Sequence, residues 1–159
     1  MTMTRCVPAL LAVVLLTACG GGDDEASGAG SASSDPCDLL TPAMIGAEFP
    51  DAGNVEQTRK DRTYPYCIST FPVGDARYRI TLTLAAGKGG ASNLERAVSV
   101  FDQHSAVSDL GDGAYYVDAV NQVSVWTGDN LFHLALERGN SGDRDRAVAL
   151  ARDVVERIE

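Results

Sequence analysis

The run Ala76–Ala86 (ARYRITLTLAA) constrains the fold of this 159-residue chain more tightly than any other stretch. In an extended backbone Tyr78, Ile80, Leu82 and Leu84 fall on one face, and Arg77, Arg79, Thr81 and Thr83 on the other. A period of two with that contrast marks a strand buried on one side only. Two further strand candidates precede it, Val55–Asp61 and Tyr66–Val73. Three follow it: Ala114–Val120, Gln122–Thr127 and Leu131–Arg138, with Gly128-Asp129-Asn130 as the hairpin turn between the last two.

Helices separate these strands. Thr41 as N-cap and Pro42 at the first helical position predict a short helix reaching about Phe49, ended by Pro50-Asp51-Ala52-Gly53. Gly87-Lys88-Gly89-Gly90 breaks the chain after the third strand. Ser92 and Glu95 then have the spacing of a capping box, opening a helix with Leu94, Ala97, Val98 and Phe101 as its apolar stripe. Residues 143–159 predict a closing helix, because Ala147, Leu150, Ala151, Val154, Val155 and Ile158 recur at helical spacing with charges opposite. The order helix, three strands, helix, three strands, helix predicts one α+β domain over residues 36–159, an antiparallel sheet or sheets with helices on one side.

Upstream of the domain, residues 20–35 contain only Gly, Ala, Ser, Asp and Glu. Nothing there can build a core, so the segment reads as a flexible tether with an r.m.s. reach of roughly 22 Å. Residues 1–18 carry a basic residue (Arg5), an apolar run from Val7 to Leu16, and then small residues. That is the pattern of a secretory signal peptide, removed in the mature protein. The apolar stretch falls short of the ~20 residues that span a bilayer core.

Leu16-Thr17-Ala18-Cys19 resembles the lipobox of bacterial lipoproteins. The resemblance implies that Cys19 is acylated with diacylglycerol and palmitate, begins the mature chain, and anchors it in a membrane of the cell envelope. Two or more acyl chains make such an anchor stable. With Gly20 rather than Asp after Cys19, it implies the outer membrane in a Gram-negative cell. In an actinobacterium it implies the outer face of the cytoplasmic membrane.

Cys6 then leaves with the signal segment and Cys19 carries lipid. Cys37 and Cys67 remain in an oxidising compartment, where a disulfide is the expected outcome. A loop of about 30 residues makes that bond worth ~3.5 kcal/mol in the chain-entropy model. Two free buried thiols are the alternative, and a metal site lacks nearby ligands to complete it.

Within the domain, Asp35-Pro36-Cys37-Asp38-Leu39-Leu40-Thr41 and a second cysteine at Cys67 are two features of a longer match. The others are Leu110-Gly111-Asp112-Gly113-Ala114-Tyr115 and the closing stretch Ala147–Ile158. Together they resemble a family of small secreted bacterial lipoproteins common in actinobacteria. That family has no established activity, so the resemblance implies a fold and an address rather than a reaction.

The formal charge of −9 argues against nucleic acid and against adsorption on anionic lipid, which both need basic patches. Gly87-Lys88-Gly89-Gly90-Ala91-Ser92 lacks the spacing of a phosphate loop. Its backbone N–H groups could still bind an anion at the helix start, but a plain strand-to-helix turn is the preferred reading. No G-x-S-x-G motif is present, and the two histidines are His104 and His133. Asp109, Asp112, Asp118 and Asp129 lie in or beside turns, where Asp is favoured for local hydrogen bonds. Asn140-Ser141-Gly142-Asp143 lacks the oxygen spacing of a calcium loop. The sequence therefore assigns no catalytic residue, metal or cofactor.

Strand phase suggests one surface. If helices cover the Leu/Val/Phe face, the opposite face displays Arg77, Arg79, Tyr116, Trp126 and His133, a cluster of the kind that anchors interfaces. A one-residue slip in any strand would invert its assignments. The expectation is a lipid-anchored, non-enzymatic binding module for an envelope protein or a small ligand. One alternative is an immunity or inhibitor lipoprotein acting on an envelope toxin. Another is a hydrolase of cell-wall or lipid substrates, which needs a pocket joining His133 or His104 to a serine or to carboxylates.

Overall fold

Seven antiparallel strands form one sheet in the computed structural model, which describes residues 35–137 and 143–159. The signal segment, Cys19, the tether before Asp35, and Arg138 to Gly142 lie outside the described residues. In chain order the elements are α1 (Pro36–Leu39), α2 (Pro42–Glu48), β1 (Glu56–Lys60), β2 (Tyr66–Val73), β3 (Ala76–Ala86) and α3 (Ala91–Val98). They continue with β4 (Ser105–Ala106), β5 (Gly113–Val117), β6 (Gln122–Thr127), β7 (Asn130–Glu137) and α4 (Arg144–Ile158). Across the sheet the strands run β1-β2-β3-β7-β6-β5-β4. The fold is α+β with one disulfide, as expected, although the element order is richer than the sequence suggested.

Two elements are additional. Asp35 accepts the Cys37 N–H at 2.9 Å and caps α1, a single turn with Pro36 at its start. The two-residue β4 adds an edge to β5. The expected strand Ala114–Val120 stops at Val117, because Asp118–Val120 tighten into a 3-10 turn closed by Asn121 in the left-handed region. Ser92 does not cap α3. Gly90, at φ 118, takes the cap position and lets the helix begin two residues earlier, at Ala91, with no side-chain cap.

One face of the sheet carries the main core. Ile80, Leu82 and Leu84 of β3, Val123 and Val125 of β6, and Phe132, Leu134 and Leu136 of β7 are all buried there. They meet Ile45 of α2, Phe49 at its C-cap, and Leu150, Ala151 and Val154 of α4. Each fully buried Val, Leu or Phe contributes about 1.5–3 kcal/mol. The Cys37–Cys67 disulfide ties α1 to β2 across a sequence separation of 30, with Cα atoms 5.1 Å apart. Arg59 of β1 adds an ion pair to Asp35 on the same side.

The expectation of helices on one side needs correction. α1, α2 and α4 share the core face, but α3 lies on the other, where Leu94 and Ala97 pack on Ala85, Leu131, Trp126 and Tyr115. The cause is topological. β3 ends in the middle of the sheet and β4 pairs at its far edge, so the connecting chain must cross β7, β6 and β5. Three helices already fill the core face, and the apolar patch on the other face gives α3 something to cover.

Candidate functional site

A row of directly paired residues crosses the second face: Tyr66, Thr83, His133, Ser124 and Tyr115. α3 passes over one end of this face and leaves a cleft of about 330 Å³ beside it. Thr83 and Ala85 of β3 and Leu131 and His133 of β7 make the floor. Asn93, Arg96 and Ala97, one face of α3, make a wall, and Lys88 and Tyr64 stand at the rim.

The loop before α3 holds that wall in place. Gly89 donates its N–H to Asp129 O at 2.9 Å, which docks the loop on the β6–β7 turn. A Cβ at Gly89 would run into Gly128 O and come within 2.7 Å of Asp129 C, so only glycine permits the contact. Asn93 Nδ2 donates to Lys88 O at 3.0 Å and to Gly89 O at 3.3 Å, fixing the backbone that carries Lys88.

His133 is the one titratable group on the floor. Gln122 Nε2 donates to Ser124 Oγ at 2.9 Å and lies 3.4 Å from His133 Nδ1. Ser124 Oγ is 2.9 Å from the same Nδ1. Nδ1 is thus engaged by the Gln122–Ser124 pair, and Nε2 is the ring nitrogen without a hydrogen bond to these two side chains. Burial also holds the His133 pKa below its usual value, favouring the neutral ring. The floor therefore presents a neutral imidazole and the Thr83 side chain beside apolar Ala85 and Leu131. Lys88 at the rim and Arg96 in the wall, both exposed, have no ion-pair partner among the described residues.

The five residues expected on one face do not come together. Tyr116 is corrected: it points into the core, 2% exposed, because it pairs with Val123 and so shares the phase of Ala114. Its hydroxyl donates to Asn121 Oδ1 at 2.9 Å, and the Arg144 guanidinium lies 4.8 Å from its ring centroid. Burial pushes its phenol pKa up, the Asp118 charge adds to this, and Arg144 opposes it. Tyr115 is the residue on the second face. Trp126 does lie there but is partly covered by α3, and its Nε1 donates to Gly128 O at 2.7 Å. Arg77 and Arg79 remain on the exposed face, where Arg79 pairs with Glu137 at 3.1 Å. Four residues along the strand separate Arg79 from the register of His133, roughly 13 Å.

The other candidates resolve simply. His104 is exposed and packs edge-on against Tyr115, centroids 5.2 Å apart. Asp112 accepts the Gly128 N–H at 2.7 Å, a turn role. Among the described residues no group of three His, Cys, Asp or Glu could hold a metal ion. No helix among them is long and apolar enough to cross a membrane. Sequence reasoning missed Lys88 with Arg96, Asn93, Thr83 and Tyr64 as one site. Its only signal was the glycine loop around Lys88, weighed there as an anion site in its own right.

Comparison with protein families, with curated proteins and with solved structures gave no match for this chain.

Proposed function

We propose that this chain is a lipid-anchored envelope protein, held through Cys19, whose domain is a non-enzymatic binding module with the cleft beside α3 as its ligand site. The cleft supports this reading. It is concave, largely apolar and built on sheet and helix, with a few convergent polar groups, as small-molecule sites are.

Full chain purified from native membranes should release a small molecule on denaturation, read by mass spectrometry. That molecule should be depleted in the Lys88→Gln/Arg96→Gln form. The same molecules released from both forms would contradict the cleft as the site. For the anchor, Cys19→Ser should abolish incorporation of labelled palmitate and shift the protein out of the membrane fraction. Persistence of both in the variant would remove the anchor reading.

A second reading, a hydrolase, rests on the Ser124–His133 hydrogen bond beside the cleft. Ser124 is 0% exposed, which keeps a substrate carbonyl from its oxygen. A fluorophosphonate probe should therefore leave Ser124 unlabelled, and an adduct there would favour the hydrolase.

A further inference from the structure

We infer that the cleft takes a small amphipathic carboxylate, with the carboxylate held between Lys88 and Arg96 and the apolar body lying on Ala85, Ala97 and Leu131. The inference rests on the binding-module reading and adds the ligand's chemical class to it.

Charge comes first. In a chain of formal charge −9, two cations without ion-pair partners among the described residues line one cavity. Arg96 offers a planar fork that matches a carboxylate, and Lys88 adds a point charge. The Asn93 hydrogen bonds hold the Lys88 backbone beside α3 before any ligand arrives, so less ordering is required on binding.

The interior decides between anions. Phosphate carries acceptor oxygens on every side and needs donors all round, but the floor offers Ala85 and Leu131, both buried, with Ala97 in the wall. An apolar body satisfies that surface and removes it from water. The floor's polar contributions are the Thr83 hydroxyl and His133, whose Nδ1 is already engaged by Ser124, too few to surround a phosphate. At about 330 Å³ the cleft sits near the lower end of small-molecule sites, which suits an aryl or short branched acid better than a long acyl chain.

The test uses 4-(trifluoromethyl)benzoate as probe, observed by fluorine NMR with the full chain in a non-ionic detergent and detergent alone as blank. Saturable binding is expected. The neutral analogue 4-(trifluoromethyl)benzyl alcohol should bind about tenfold more weakly, as should the acid to Lys88→Gln/Arg96→Gln. Arg96→Glu, which sets a carboxylate at an exposed position of the same wall, should repel the acid while leaving the fold's thermal transition nearly unchanged. Inorganic phosphate should fail to displace the probe. Equal binding of acid and alcohol, displacement by phosphate, or no binding of the acid would each overturn the inference. The molecule released from native protein reports separately on the binding-module reading, so that reading can survive the loss of this one.

Discussion

On one face of the sheet three helices press on Phe132, Leu134, Val125 and Leu82 and bury them completely; on the other, α3 alone covers part of a mixed surface and leaves a cleft. The covered face is apolar and stapled by the Cys37–Cys67 bond. The other face keeps a hydrogen-bonded Gln122–Ser124–His133 row under exposed cations. Stability and ligand chemistry are thus divided between two sides of the same strands. The alternation of each strand makes that possible, because neighbouring residues serve opposite faces.

Substitutions can break or sharpen this division. Phe132→Ala should cost about 3–5 kcal/mol, read as a lowered urea midpoint, since the core face has no slack to fill the cavity. Removing the disulfide with Cys37→Ser and Cys67→Ser should cost ~3.5 kcal/mol in the same assay. Gly89→Ala should cost about 1–3 kcal/mol by forcing the loop off the β6–β7 turn, and should also weaken the cleft's ligand.

A pH series gives a smaller effect. His133 is held neutral by burial, so its folded pKa lies below the unfolded value of about 6.5. The unfolded chain then binds the proton first as pH falls. The stability linked to this group is complete above about pH 6.5 and declines as pH drops through that value toward the folded pKa. Thermal melts across that window should show the decline, and His133→Gln should flatten it. The smallest change in stability belongs to Lys88→Gln/Arg96→Gln, within about 0.5 kcal/mol, although the cleft should lose its ligand. A large stability loss there would merge the two faces into one structural unit.

Long periodic segments were readable from sequence. β3 and α4 repeat their pattern over enough residues that only one face can be buried, and β6 and β7 follow the same alternation. Tyr115-Tyr116 was not readable, because two adjacent aromatics fit either phase and only the pairing of Tyr116 with Val123 decides. α1 has a cap and a proline but only one turn, too short for a period. The side taken by α3 depends on where β3 ends and β4 pairs, which no local pattern encodes. The cleft went unread for the same reason: Lys88, Arg96 and His133 share it only after the loop has docked and the helix has crossed the sheet.

The most direct test is a two-dimensional NMR titration of the full chain with 4-(trifluoromethyl)benzoate. Saturable shifts centred on Lys88, Asn93, Arg96, Ala97, Leu131 and His133 are expected, with the core face silent. Shifts centred instead on Arg77, Arg79 and Glu137, or spread through Phe132 and Leu150, would contradict the cleft as the ligand site.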